Sequence, residues 1–180
     1  KDYYKKRGVE IIISNYKVIQ ICNDKINTHK FLNNLNINSP KLLAFKKIKK
    51  HLPIIIKKKK GSGSVHQTII KDKKIIPIKE DRNFIYQKFY NAQEYGMDIL
   101  NDLEGNFLHY TVRKKIAMRA GDTDRAKVVN PKKFSKLAKN ISQNLKHVGN
   151  LDIDFLLLKN KEIVLDFNPR FGGGYPFTHE

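Results

Sequence analysis

The succession of hydrophobic patterns predicts an α+β chain: a small helix-strand lobe, a run of mostly antiparallel strands, one amphipathic helix and a closing β-hairpin. Three observations carry that prediction. Behind an Asn130-Pro131 start, Phe134, Leu137, Ala138, Ile141 and Leu145 recur at helical spacing up to about Val148, with Gly149 as the stop. From Phe84 to Met118, β-branched and aromatic stretches alternate with turn residues, as an antiparallel sheet requires. Leu151 to Leu158 and Glu162 to Phe167 are two apolar strands joined by Lys159-Asn160-Lys161.

In chain order, Lys1 to Arg7 is polar and ends a helix at Gly8, and Val9 to Ser14 and Val18 to Ile21 are expected as short apolar strands. Asn23-Asp24 caps a helix running to about Leu35, with Lys25 in its first turn and Ile26, Phe31, Leu32 and Leu35 facing the core. Ser39-Pro40 breaks the pattern, and Pro53 opens a strand over Ile54 to Lys58. Val65 to Ile78 is expected as a strand pair turning at Asp72-Lys73. Phe84 to Phe89, Glu94 to Leu100 and Phe107 to Met118 follow as strands, with Gly105 supplying a positive φ in the turn over Asp102 to Asn106.

With 180 residues, 40% of them hydrophobic, the chain has room for a core of its own. The net charge of +19 raises nucleic acid or an anionic membrane as a partner. The residue mix argues against both: 30 Lys stand beside only 6 Arg, spread almost evenly, and aromatic residues are not interleaved with them as a stacking platform would require. Cys22 is the single cysteine, which excludes a disulfide framework and makes a cytoplasmic setting the default. No apolar run approaches the roughly 20 residues of a membrane span, and the N-terminus has no signal-peptide core.

Chemistry concentrates in the closing hairpin, LDIDFLLLKNKEIVLDFNPRFGGGY. Residues of like parity on paired strands share a face, so Asp154 and Asp166 converge and Asn168 lies beyond Asp166 on the same side. Two carboxylates and an amide oxygen suit a hard cation such as Mg²⁺ that takes its other ligands from water and substrate phosphates. Arg170 follows at the same parity, placed to hold a transferring phosphoryl group. An ordinary hairpin with solvated acids is the other reading. Upstream, Ile54-Ile55-Ile56-Lys57 runs through three further lysines into Gly61-Ser62-Gly63-Ser64. Such a loop can wrap a polyphosphate, or it can be a plain turn beside a solvated lysine run; neither GxxxxGK[ST] nor GxGxxG is present.

Five segments together resemble the ATP-grasp superfamily, in the branch of the carbamoyl-phosphate synthase large chain and related carboxylate-amine ligases. They are Asp24-Lys25, PIIIKKKKGSGS at 53–64, IYQKFYNAQEYGMDIL at 85–100, RKKIAMRAGD at 113–122 and LDIDFLLLKNKEIVLDFNPRFGGGYP at 151–176. The resemblance implies two α+β lobes with antiparallel sheets enclosing Mg²⁺·ATP, with Mn²⁺ as a substitute ion, and a ligase that forms an acyl phosphate before an amine or other nucleophile displaces phosphate. It implies small-molecule carboxylate and amine substrates. It places Lys25, Lys57 and the loop Gly61, Ser62, Gly63 and Ser64 on the ATP phosphates, and Gln87, Lys88 and Phe89 on adenine with Glu94 on the ribose. Arg113 and Arg119 would meet substrate or phosphate, Asp154, Asp166 and Asn168 would bind the metal, and Arg170 would stabilise the phosphoryl group in transfer. Two departures stand out: Gln87 replaces an acid common in the family, and Asp154 and Asp166 are shorter than the Gln or Glu of many members.

By the same resemblance, residues 1–22 are the remnant of an N-terminal α/β domain mostly missing from this sequence. Residues 23–180 form the ATP-grasp domain, with a small lobe over about 40–88 and a large lobe over about 89–180. No side-chain nucleophile is required, and His51, His66, His109 and His147 form no triad. The rival function is a non-catalytic basic module of the same fold that binds nucleic acid or another anionic partner.

Overall fold

The computed structural model describes residues 2–61, 67–119 and 122–179. Strands β1 (Ile54–Lys58), β2 (Thr68–Ile70) and β3 (Phe84–Lys88) form an antiparallel sheet in the order β2-β1-β3. Strands β4 (Gln93–Asn101), β5 (Phe107–Arg119), β6 (Asp122–Val128), β7 (Gly149–Leu158) and β8 (Lys161–Asn168) form a second, also antiparallel, in the order β6-β5-β4-β7-β8. The helices are α1 (Asp2–Lys5), α2 (Tyr16–Asn23), α3 (Lys25–Asn34), α4 (Ser135–Leu145) and α5 (Pro176–His179). Among the described residues no helix is long and apolar enough to cross a membrane.

Period-two alternation divides the larger sheet into two faces of opposite chemistry. Met97 and Ile99 of β4, Val112 of β5, Leu151, Ile153 and Phe155 of β7 and Val164 and Phe167 of β8 are buried on one face. They pack against Phe134, Ala138, Ile141 and Leu145 of the helical segment and Val18, Cys22 and Leu32 of α2 and α3. Each such side chain contributes about 1.5–3 kcal/mol on burial, so this face anchors the fold. The alternate positions, Glu94, Gly96, Asp98, Arg113, Lys115, Asp152 and Asp154, fall on the opposite face. A bulge in β8 at Leu165 keeps Asp166 and Asn168 there too, because Asp154 pairs with Asp166 while Phe155 pairs with Val164. The smaller sheet has its own core of Leu43, Ile48, Ile54, Ile56, Ile70 and Tyr86.

Several expected elements differ. The strands expected at 9–14 and 18–21 are an irregular segment and a helix: Asn15 accepts from the Val18 amide at 3.0 Å, capping α2, and Val18 and Cys22 bury one turn apart. Val9, Ile12 and Ile13 find no strand partner among the described residues and stay exposed. In 65–78 only Thr68–Ile70 is a strand; Asp72 instead accepts from the Lys74 amide at 2.9 Å and caps a 3-10 turn over Lys73–Ile75, while residues 65 and 66 lie outside the described chain. The edge strand β6 was not expected from DTDRAKV, which has no apolar alternation. Helix α4 stops at Lys146, left-handed at φ 53, rather than at Gly149, whose φ of 73 opens β7. Lys159 and Asn160, at φ 49 and 63, make a two-residue hairpin turn, so Lys161 already belongs to β8.

Candidate active site

Asp154 and Asp166 sit directly opposite each other on the polar face, and each has its own lysine. The Lys25 ammonium lies 2.9 Å from Asp166 Oδ2 and also donates to the Gly61 carbonyl at 2.9 Å. Its place is fixed by the helix start: Asp24 Oδ1 accepts from the Ile26 and Asn27 amides at 2.9 and 3.3 Å, and the Lys25 amide donates to the Lys59 carbonyl at 2.9 Å. Lys25 thereby ties α3, the end of the lysine run and β8 together. The Lys115 ammonium is 2.6 Å from both Asp154 Oδ1 and Glu94 Oε1.

Lys57, from β1, completes a set of three lysines and three carboxylates. Burial lowers its pKa, opposed by the attraction of Asp166, Glu94 and Asp154. Burial holds the Asp166 carboxyl above its ordinary range although Lys25 pulls the other way. For Lys115 burial alone would lower the pKa, but Asp154 and Glu94 outweigh it and raise it. Cys22 is inert here: burial, with Asp166 adding, pushes its thiol up to about 12.

Beside this cluster, on the same face of the sheet, lies a second one. Arg113 is 1% exposed, with Nη1 on Asp98 Oδ2 and Nη2 donating to Asp152 Oδ1 at 2.6 Å, while its buried Nε has no partner among the described residues. Thr178 of α5 donates to Asp98 Oδ2 at 2.5 Å, and the Asn150 amide donates to Asp98 Oδ1 at 2.9 Å and to the Arg170 carbonyl at 3.2 Å. Glycines make the room: a Cβ at Gly96 would meet the Arg113 guanidinium at 2.8 Å, and one at Gly174 or Gly172 would collide with Arg113 or Asp152. Burial pushes Asp152 up to about 6, Asp154 adding to the rise and Arg113 opposing it.

The other expected site residues are distributed as follows. Gln87 is buried in β3, opposite Ile55 and bridged to Leu42; Lys88 is exposed above the Tyr90 ring, and the Phe89 amide donates to the Pro53 carbonyl at 3.2 Å. Asn168 donates its amide nitrogen to Asp152 Oδ2 at 3.4 Å. Arg170 is exposed, bonded to the Phe171 carbonyl at 2.9 Å. Arg119, 81% exposed at the far end of β5, pairs with Asp124 at 3.2 Å and does not join the cluster. Ser62, Gly63 and Ser64 lie outside the described residues. Sequence reasoning missed Lys115, Asp98 and Asp152; the signal was the shared parity of Glu94, Gly96 and Asp98 and of Arg113 and Lys115 on neighbouring strands.

Among the described residues no group of three or more His, Cys, Asp or Glu side chains forms a metal cage. The two facing carboxylates, each paired with a lysine, are oxygen donors of the kind a hard divalent ion takes.

Comparison with known proteins gives the family and the fold. The model of the ATP-grasp domain matches residues 22–174. The carbamoyl phosphate synthase large chain of Pseudothermotoga lettingae is 24% identical over 97% of this chain, which spans 18% of that protein's length. In fold, the chain is similar to D-alanine--D-alanine ligase from Bacillus anthracis complexed with ATP (TM-score 0.64, 19% identity, 93% of this chain and 62% of that one). It is similar too to the biotin carboxylase domain of Hydrogenobacter thermophilus 2-oxoglutarate carboxylase, solved with MgADP, ADP and bicarbonate (TM-score 0.74, 14% identity, 97% of this chain and 46% of that one). With the family model covering the site from α3 to the glycine-rich tail, the chain belongs to the ATP-grasp family.

Proposed function

We propose that this chain is the nucleotide-binding and phosphoryl-transferring part of an ATP-dependent carboxylate ligase that works through an acyl phosphate. The observation that carries this is the in-register pair Asp154 and Asp166 ringed by Lys25, Lys57 and Lys115 from three separate elements. Phosphoryl transfer asks a protein for positioning and charge compensation rather than for a nucleophile, and that is what the cluster offers. Lys25, which holds the Gly61 carbonyl, and Lys57 take the phosphates. Gln87, Lys88 and Phe89 line the adenine, and Glu94 takes the ribose. Asp154, Asp166 and the Asn168 oxygen hold Mg²⁺, or Mn²⁺ in its place, which when bound neutralises charge on the transferring oxygens. Arg170 reaches the phosphoryl group by leaving the Phe171 carbonyl. Arg113, enclosed by carboxylates, positions β7 and the tail instead of touching substrate. Arg119 lies outside these roles.

Calorimetry with ATP and Mg²⁺, paired with phosphate release, tests this. Asp166→Asn should abolish cation-dependent nucleotide binding while thermal melting shows an intact fold. Lys57→Ala should weaken binding about tenfold to a hundredfold, the equivalent of one charged hydrogen bond, and Lys59→Ala should leave it unchanged. Wild-type behaviour of Asp166→Asn would remove the metal assignment. Salt-sensitive binding to nucleic acid without affinity for ATP would favour the non-catalytic module.

A further inference from the structure

Lysine is spread almost evenly along the chain, but the fold gathers it. Residues 41–83, which build the smaller sheet and its cover, hold thirteen lysines and Arg82 against Asp72, Glu80 and Asp81, a net charge of +11 out of the chain's +19. The smaller sheet has two unlike faces. Ile54 and Ile56 of β1 lie in its core, so by alternation Ile55 and Lys57 look the other way, towards the charged cluster. The core face is covered by two short pieces of chain: the 3-10 turn Phe45–Lys50, which buries Ile48, and the connection from β2 to β3, which tucks in Ile76. Their outer surface is therefore turned away from the charged cluster.

That surface is basic and aliphatic at once. All four lysines of the first piece, Lys46, Lys47, Lys49 and Lys50, are exposed, as are Lys71, Lys73, Lys74 and Lys79 of the second. Among the latter, Ile75 is 58% exposed and Ile78 fully exposed. Neither hangs on a loose end: Asp72 caps the turn over Lys73–Ile75, and Ile76, which stands between them, is anchored in the core. Single exposed apolar side chains are ordinary, but two of them held in place amid lysines combine the two attractions that an anionic lipid surface offers.

We propose that this surface docks on an anionic lipid bilayer, with Ile75 and Ile78 entering the boundary between headgroups and acyl chains and the surrounding lysines pairing with the lipids' anionic oxygens. Composition selects lipid over nucleic acid. Unpaired bases are stacked on aromatic rings or arginine planes, and residues 71–80 contain neither, whereas an ammonium is a compact point charge that a headgroup phosphate takes without bidentate geometry. The inference does not rest on the function proposed above, because the docking surface and the charged cluster lie on opposite faces of the smaller sheet. Docking would leave the cluster open to solution, so a nucleotide and a membrane could be held together.

The test is flotation of the full chain with vesicles of phosphatidylcholine and phosphatidylserine in equal parts, and with vesicles of phosphatidylcholine alone. Wild type should bind the mixed vesicles and not the neutral ones. Ile75→Ser with Ile78→Ser leaves the charge unchanged and should weaken binding about tenfold to a hundredfold, as the loss of two partly inserted side chains requires. Lys73→Gln, Lys74→Gln and Lys79→Gln together should weaken it about a hundredfold, at about fivefold for each lysine near the surface. Ile78→Cys carrying an environment-sensitive fluorophore should shift its emission to the blue on the mixed vesicles; Cys22, the only native cysteine, is buried and does not compete for the label. Unchanged binding by the isoleucine pair, or a label that stays in water on bound vesicles, reduces the contact to adsorption of a basic chain and overturns the proposal. So does tighter binding to polyuridylate than to the mixed vesicles, which would assign the surface to nucleic acid. The labelled single variant keeps the insertion measurable if the double variant fails to melt cooperatively. ATP calorimetry on the same variants should match wild type. A chain that binds vesicles but not ATP keeps this proposal and removes the function proposed above, and the reverse result removes this proposal alone.

Discussion

His147 has no exposure to solvent, and its neighbours accept only a neutral ring. Nε2 donates to the Ile99 carbonyl at 3.1 Å, and Nδ1 faces the Asn101 amide nitrogen at 3.4 Å. That amide is oriented by Ser142, which donates to its oxygen at 2.7 Å, so a proton on Nδ1 would point at another donor. Burial lowers the pKa to about 4 from an ordinary 6.5, with the Ile99 carbonyl opposing only in part. The unfolded chain therefore takes up a proton that the folded chain refuses. This group's contribution is fully present above pH 6.5 and is lost as pH falls from there to about 4. The loss amounts to about 3 kcal/mol. Urea midpoints of wild type and His147→Gln between pH 7 and about 4 should diverge by that slope; parallel curves would show that His147 titrates alike in both states.

Four elements meet at Arg113: β5 carries it, β4 and β7 supply Asp98 and Asp152, and α5 adds Thr178, with Gly174 closing over the guanidinium. Arg113→Met should cost about 3–5 kcal/mol by leaving two buried carboxylates unpaired. Gly174→Ala should cost about 1–3 kcal/mol by overpacking, and almost nothing in the Arg113→Met background, where the obstructing group is gone. Denaturant unfolding of the double-mutant cycle measures this, and strictly additive losses would separate the tail from the clamp. Half of the clamp was within reach of the sequence, since β4 and β5 are consecutive strands that put Asp98 and Arg113 on one face; the other half was not, because Asp152 comes from β7, distant in the chain. The hairpin was legible as two apolar strands about a short turn, but the facing of Asp154 and Asp166 was not, because the two-residue turn alone would set Asp154 opposite Leu165 and only the bulge there brings Asp166 round; α4 was legible from its apolar spacing. Strand β6 was hidden because an edge strand needs no apolar alternation, and α2 was misread because Val18, Ile19 and Ile21 fit a short strand as well as a helix. Lys115 was one lysine among 30 until the register set it beside Asp154 and Glu94.

The molecule as a whole has two cores of unequal size, joined across the charged cluster. The five-stranded sheet is backed by α4, α2 and α3, whereas the three-stranded sheet rests on the short segment around Leu43 and Ile48. Smaller cores bury a smaller share of their surface and open at lower free energy. The sheets are linked by Lys25, which reaches Gly61 and Asp166 at once, and by Lys57, whose charge feels Asp166, Glu94 and Asp154 across the gap. A cation-nucleotide complex held between them would add contacts to both, and a ligand stabilises most the unit that opens most easily without it. Native-state amide exchange should therefore show Ile54, Ile56 and Tyr86 of the smaller sheet exchanging faster than Met97 and Ile153 of the larger. Saturating Mg²⁺ with β,γ-methylene-ATP should slow the first group more than the second. Equal protection of both groups before the ligand is added would mean that the sheets open as one cooperative unit. Slowing confined to the larger sheet would mean that the nucleotide is held without the lysines of the smaller one.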